Sequence, residues 1–381
     1  MKILVIHNKY KTLGGEDVAV EKEAKFLKNH FDVEELYFSN SEPNILNIFT
    51  SLVLNRNFKN MAQIKRTINS FKPDYVYVHN TWFNIPLNIF KFLTKKNIRI
   101  ILKLHNFRYD CTRTYSLKKH LNGKTFCHAC GLRGGKFKFF NKYFDNSTVK
   151  SFFIIKYGKK YFRILRESKI KLFVLTKFHK NYLIDLGFNS EDISIFPNHI
   201  DSDIKNEVKI NEKFLVYAGR ISKEKGIDDL ISSFKTANTK NLKFKIIGIG
   251  PELKRLKNKY GDKQIQFYGP LSNEETLKEI GSSIAVVTAT KLFEGQPMLL
   301  CEASTLGIPS IFPQSGGISE FFPANYELSF EQFNYEELIR KIEFLDNEEF
   351  ISNVGNQNKK YIKEYLNEEK LLNILQSVFN G

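Results

Sequence analysis

Glu294 and Glu302 stand eight positions apart in the segment Phe293-Glu294-Gly295-Gln296-Pro297-Met298-Leu299-Leu300-Cys301-Glu302-Ala303. Proline at the first position of a helix loses nothing, because the N–H it lacks has no partner there. The segment predicts a helix beginning near Gln296 or Pro297. Glu294 then lies in the loop before it, and Glu302 lies roughly 7.5 Å along its axis. Two carboxylates so placed could grip two ends of one elongated ligand. The N–H groups between them suit a phosphate. The plainer alternative is a surface Glu followed by a partly exposed helical Glu.

The residues after the pair favour the ligand-gripping arrangement. Gly307-Ile308-Pro309 makes a turn, Ser310-Ile311-Phe312 a short apolar run, and Gln314-Ser315-Gly316-Gly317-Ile318-Ser319-Glu320 a glycine loop opening another helix. Successive strand-to-helix loops with small residues and acids form phosphate and sugar pockets in parallel α/β sheets.

Both halves of the chain alternate strand and helix. In the first half, apolar runs at Ile3–His7, Val33–Phe38, Tyr75–His79, Ile98–His105, Leu172–Thr176 and Ile193–Pro197 read as strands. Helical stretches lie between them. The polar stretch Asp201–Glu212 reads as a linker. A second set of strands occurs at Phe214–Ala218, Phe244–Ile249, Ile265–Tyr268, Ile284–Thr288 and Ser310–Phe312. The fold class is α/β with two doubly wound parallel sheets. The expected division is 1–200, 201–365, and a terminal segment 366–381 whose apolar-periodic helix crosses back to the first domain. Neither half carries G-x-G-x-x-G after its first strand, which argues against a nicotinamide or flavin enzyme.

A chain of 381 residues with 42% hydrophobic and 26% charged content is of the globular class rather than disordered. No run approaches the length of a membrane-spanning helix. Four cysteines, three of them clustered, argue for a reducing compartment, so cytoplasmic is the expected location. The formal net charge of +17 is unevenly spread. Residues 113–171 hold sixteen Lys and Arg against two acids, Asp145 and Glu167, with aromatics interleaved. Such a segment suits an anionic membrane surface. A solvated basic face is the alternative, and nucleic acid is the least favoured partner, since no recognition motif of the known modules occurs there.

Five motifs in order carry a resemblance that covers essentially the whole chain. Gly219-Arg220 with Lys225-Gly226 looks like a GR-x4-KG segment, Gly248-Ile249-Gly250 like a G-x-G strand end, and Phe267-Tyr268-Gly269 like the next strand end. Glu294 to Glu302 looks like an E-x7-E signature, and Gly316 to Glu320 like Gly-Gly-x-x-Glu. Together they resemble the retaining GT-B glycosyltransferases of family 4. The resemblance implies two Rossmann-like domains facing each other across a cleft. It also implies a nucleotide-sugar donor (UDP- or GDP-linked), a glycan or lipid-linked acceptor, a place at the inner face of the membrane, and no required cofactor or metal.

The resemblance further assigns roles. Arg220 and Lys225 would meet the diphosphate leaving group, where fixed cations stabilise developing negative charge. Glu294 would lie near the donor sugar and Glu302 on the ribose hydroxyls, since a carboxylate accepts from a vicinal diol. Gly15, Gly219, Gly250, Gly295, Gln296, Pro297, Met298, Leu299 and Gly317 would line the donor site. Ile249 to Pro251 would border the base. His105, ending its strand, would contact the donor sugar from the first domain, and His79, ending the preceding strand, is a second candidate. Cys111, Cys127 and Cys130, with His120 or His128 as a fourth ligand, could hold zinc. Reduced loop thiols are the alternative.

Overall fold

The computed structural model describes residues 1–10, 15–39, 57–82, 84–110, 147–200, 213–239 and 241–380. The cysteine cluster Cys111, Cys127 and Cys130, the expected linker 201–212, and residues 113–146 of the basic segment lie outside them. The chain forms two compact units, divided between His199 and Ile200.

The first unit carries a six-stranded parallel sheet. Its strands are β1 (Lys2–Lys9), β2 (Asp32–Ser39), β3 (Tyr75–Val78), β4 (Arg99–Leu104), β5 (Lys171–Val174) and β6 (Ile193–Ile195), in the order β2-β1-β3-β4-β5-β6. The central strands are continuous apolar runs because helices cover both faces. Ile3 to Ile6 and Tyr75 to Val78 are all buried. The order reverses at β1 and β3, which leaves a crevice at their carboxyl ends.

The second unit repeats the architecture. Its strands are β7 (Phe214–Ala218), β8 (Lys243–Ile247), β9 (Ile265–Gly269), β10 (Ala285–Val287), β11 (Ser310–Gln314) and β12 (Ser329–Glu331), in the order β12-β11-β10-β7-β8-β9. Alternate residues of one strand face opposite sides. Leu215 and Tyr217 therefore join one buried cluster with Leu230, Phe234 and Leu338. Phe214 and Val216 join the other with Leu300, Ala303 and Ile362. Here the switch point lies between β7 and β10.

Four elements depart from the sequence expectation. Strand β12 is an additional edge strand. The helices Tyr335–Glu343 and Glu348–Tyr365 are also additional. The helix expected to begin near Gln296 or Pro297 spans Met298–Leu306. Pro297 is its cap, with φ −81° and ψ 95°, and the Pro297 carbonyl accepts from Leu300 and Cys301 at 3.0 Å each. An extended ψ keeps Pro297 out of the helix proper while its carbonyl starts the ladder.

The first core contains a charged pair. Lys103 on β4 and Glu23 on the helix Gly15–Lys28 are fully buried and hydrogen-bonded, and the Tyr77 hydroxyl also donates to Glu23. Lys103 further donates to the Pro197 carbonyl at 3.3 Å and lies over the Phe196 ring at 4.5 Å. Removing one partner of such a pair strands the other, at about 3–5 kcal/mol, whereas replacing both with apolar groups is often neutral. Glu23→Ala is therefore expected to lose about 3–5 kcal/mol in urea denaturation. The double variant Glu23→Leu/Lys103→Met should recover most of it, and a single variant within about 1 kcal/mol of wild type would contradict the pairing.

Candidate functional site

In the second unit the candidate residues sit on loops at the carboxyl ends of adjacent strands. After β7 the chain runs through Gly219 and Arg220 into a single 3-10 turn, Lys223–Lys225, and then the helix Ile227–Thr236. After β10 it runs through Thr290 to Glu294 and into the helix Met298–Leu306. These loops are tied by their backbones, since Lys291 N–H donates to the Glu224 carbonyl at 2.9 Å. The result is an ion pair. Lys225 Nζ lies 2.5 Å from Glu294 Oε1, and the Thr290 hydroxyl donates to the same oxygen at 2.9 Å.

Two glycines make this arrangement possible. Gly226, beside Lys225, has φ +69°, and a Cβ there would meet the Ala289 carbonyl oxygen at 2.1 Å. Gly316 has φ +64°, and a Cβ there would meet the Glu294 carbonyl oxygen at 2.3 Å. Only glycine adopts such a conformation at such a distance without strain. The close approach that Gly316 permits is thus to the backbone of Glu294, which also accepts from Gly317 N–H at 2.9 Å.

Arg220 stands at the outside. Its side chain is 66% exposed, and its ionic contact is Glu224 at 4.0 Å. Its carbonyl accepts from the Tyr217 hydroxyl at 2.9 Å. That phenol is pushed up by burial first, then by Glu294 and Glu224, with Arg220 acting in the opposite sense. One buried hydroxyl therefore feels two of the charged candidates, Glu294 and Arg220. The loop after β8 packs beside them, with Gly219 N–H donating to Ile247 at 3.0 Å and Ile221 N–H to Ile249 at 2.8 Å. This pairing brings Gly250 next to Ile221.

Glu302 lies in the second turn of its helix and is buried. Burial pushes the neighbouring Cys301 thiol up, with Glu302 adding to the rise and a hydrogen bond from Gln296 opposing it. Gly295 and Gln296 are buried, and Pro297, Met298 and Leu299 are half-buried. The first-turn N–H groups of a helix lack intrahelical acceptors, which gives this end its affinity for anions.

The first unit presents a separate constellation at the carboxyl ends of β1, β3 and β4. His79 Nδ1 and His105 Nε2 are 3.0 Å apart, with rings stacked at 5.3 Å. Burial pushes both imidazoles well below the usual range, assisted for His79 by His105 and for His105 by Lys103. His7 Nε2 lies 2.8 Å from Asp17 Oδ1, and both are buried. Glu16 Oε2 accepts from the Tyr10 hydroxyl at 2.8 Å and from Asn106 Nδ2 at 3.1 Å. Arg108 Nη1 donates to the Tyr10 hydroxyl at 2.9 Å. Gly15 opens the helix that carries Glu16, and a Cβ there would meet nothing within 4 Å.

The family model of glycosyl transferases group 1 matches residues 200–365, which is the second unit up to its last helix. The second unit is a glycosyl transferases group 1 domain. The capsular polysaccharide biosynthesis glycosyltransferase CapM of Staphylococcus aureus is 26% identical over 253 residues, covering 58% of this chain and 66% of that protein. The amylovoran biosynthesis glycosyltransferase AmsD of Erwinia amylovora is 27% identical over 152 residues, covering 37% of this chain and 42% of that protein. The chain thus matches less than two thirds of either relative's length. Among solved structures, Anabaena HepE in complex with UDP and glucose superposes with a TM-score of 0.71 at 14% identity, covering 100% of this chain and 99% of that one. Sucrose-phosphate synthase of Thermosynechococcus elongatus gives 0.71 at 11%, covering 100% and 98%. The fold is GT-B, with two doubly wound units.

In the group 1 domain the structure brings Lys225 and Glu294 into contact, with Arg220 at their edge and Glu302 on the helix after Glu294. In the first unit it joins His105 to His79. Sequence reading missed Thr290, which anchors Glu294, and the Glu16–Tyr10–Arg108 chain. The signal for the second was the polar pair His105-Asn106 with Arg108 close behind an apolar strand. Among the described residues no cluster of three His, Cys, Asp or Glu could hold a metal.

The depressed imidazoles set a pH dependence. The unfolded chain protonates His79 and His105 near 6.5, and the folded chain does so only below that. The unfolded state therefore binds more protons as pH falls below about 6.5, and stability drops. His79→Gln is expected to show a smaller fall in thermal midpoint between pH 7.5 and 5.5 than wild type does. Parallel pH curves would contradict the assignment of buried neutral imidazoles.

Proposed function

We propose that the chain is a retaining, metal-independent glycosyltransferase. It moves a sugar from a UDP- or GDP-sugar to a glycan or lipid-linked acceptor in the making of a cell-surface polysaccharide. The contact between Lys225 and Glu294, with Arg220 at its edge, is the observation that carries this reading. It places two cations and a carboxylate at the switch point of a parallel sheet, where ligands of such folds bind. The names of the capsular and amylovoran relatives support the polysaccharide context, and HepE bound to UDP and glucose supports a uridine nucleotide.

In this mechanism the second unit binds the donor. Arg220 offers a planar fork and Lys225 a point charge to the diphosphate. Charge on the leaving group grows as the glycosidic bond breaks, so these cations favour the transition state over the ground state. They offset that charge without a metal. Glu294, anchored by Thr290, aligns Lys225 and receives the donor sugar, while Glu302 accepts from the ribose hydroxyls. The acceptor attacks from the face that the diphosphate leaves, and the departing phosphate takes its proton.

Lys225→Ala is expected to lower kcat by about 10²–10³-fold, the usual cost of one preorganised charge-stabilising donor, while the fold stays intact by circular dichroism. A nucleotide-sugar panel should raise the thermal midpoint for one base and sugar selectively. Near-normal turnover of the variant would refute the role of Lys225. A thermal shift with no nucleoside diphosphate release in any acceptor mixture would point to a non-catalytic scaffold.

A membrane-surface partner is supported by the helix Thr148–Glu167. It exposes Lys156, Lys159, Lys160, Arg163 and Arg166, with Val149 and Phe152 exposed near its start. Basic groups gain about 1 kcal/mol each near an anionic leaflet. No described helix is long and apolar enough to cross a membrane. The chain should co-sediment with vesicles containing phosphatidylglycerol and not with purely phosphatidylcholine ones. The triple variant Lys156→Gln/Lys159→Gln/Lys160→Gln should lose this binding, and equal retention on both vesicles would contradict it.

A further inference from the structure

Lys291 joins two loops of the second unit through both its backbone and its side chain. It lies in the loop after β10, and neither the GR-x4-KG nor the E-x7-E motif contains it. Its N–H donates to the Glu224 carbonyl at 2.9 Å, and its Nζ lies 2.5 Å from Asp229 Oδ2. Glu224 immediately precedes Lys225 in the loop after β7. Asp229 follows in the first turn of the helix Ile227–Thr236. Lys291 therefore straddles Lys225.

These contacts close a ring. Lys225 meets Glu294 Oε1, and the Thr290 hydroxyl donates to the same oxygen. Thr290 is bonded to Lys291, and Lys291 returns to both sides of Lys225. The Thr290 hydroxyl also accepts from Leu292 N–H at 3.2 Å, which folds the loop around that side chain. The direction of Glu294 thus depends on where Thr290 is held, and Lys291 is its neighbour.

The opposite side of the loop is held by neutral groups. Gln332 Nε2 donates to the Thr290 carbonyl at 3.1 Å, and Ser315 Oγ to the Leu292 carbonyl at 2.8 Å. Both lie beyond β11, away from Lys225 in the sheet order. Without the Lys291 side chain, the tethers that remain on side chains draw the loop toward β11 and β12. Asp229 is itself backed by a third element. Burial pushes the phenol of Tyr335 up, and Asp229 adds to the rise.

The pair is not a stability device. Its side chains are 22% and 31% exposed, and ion pairs so open to water add little to folding. Its effect is geometric, and small displacements of groups that orient a substrate are costly to turnover.

We propose that Lys291 and Asp229 are positioning residues, an ionic clamp that holds Thr290, and through it Glu294, at the working distance from Lys225. The effect on turnover rests on the transferase reading; the clamp itself does not.

Two measurements on the full chain test this. The first is hydrogen exchange of the peptide spanning residues 289–294. Lys291→Met and Asp229→Asn should each speed its exchange about tenfold, because the Lys291 and Leu292 amides are bonded within the clamp. The swapped pair Asp229→Lys/Lys291→Asp should restore protection. The second is release of UDP or GDP from UDP-glucose, UDP-galactose, UDP-N-acetylglucosamine and GDP-mannose in acceptor mixtures. Lys291→Met should lower kcat about tenfold, with UDP or GDP affinity within about twofold of wild type, since Glu294 faces the sugar. Lys291→Arg and the swapped pair should recover most of the rate, which guards against a misfolded variant. In a Thr290→Val background, Lys291→Met should cost less than about twofold more, as expected of residues that act through one another.

The clamp is overturned if exchange in 289–294 is unchanged, if kcat is normal, if nucleotide affinity falls together with kcat, or if the losses from Thr290→Val and Lys291→Met multiply. If wild type releases no nucleoside diphosphate from any donor, the transferase reading fails and exchange alone judges the clamp. Normal release with unchanged exchange in the variants would sink the clamp and leave the transferase reading standing.

Discussion

The pairing of Lys225 with Glu294 organises the second unit. The two side chains are 28% and 22% exposed, and a pair so open to water contributes at most about 1 kcal/mol to stability. Its importance is positional. Lys225 hangs on the loop after β7 and Glu294 on the loop after β10, and these strands are neighbours only because the sheet reverses order there. Gly226 and Gly316 let the flanking backbones close to distances that no side chain would tolerate. The irregular geometry of the fold thus serves to hold a cation, a carboxylate and a helix N-terminus together.

The first unit handles charge in another way. Its pair, Lys103 and Glu23, is wholly buried. Such a pair is poor as a source of stability but costly to disrupt. Near it, His79 and His105 are kept neutral by burial. One unit therefore keeps its key ion pair partly open to water, and the other buries its pair completely.

Much of the fold was legible because buried parallel strands are unbroken apolar runs. Phe214–Ala218 and Tyr75–Val78 needed no further context. Strand β12 was not legible, since three residues at a sheet edge leave no pattern. The helix Glu348–Tyr365 was hidden because only Val354, Gly355, Asn358 and Ile362 of its eighteen residues are buried. Pro297 misled by one position because proline's fixed φ suits both the cap and the first helical residue, and ψ decides between them. In the site, the acids and cations were readable as local motifs. Thr290 was not, because a loop hydroxyl four residues before a Glu has no signature. The link from Glu16 through Tyr10 to Arg108 spans β1 and β4, and only the sheet order brings these residues together.

A crystal structure of the chain with a bound nucleoside diphosphate tests the central claim most directly. The account predicts pyrophosphate oxygens within hydrogen-bonding distance of Lys225 and the Arg220 guanidinium, with the ribose hydroxyls on Glu302. A nucleotide bound elsewhere, with the Lys225–Glu294 pair untouched and Arg220 in solvent, would contradict it.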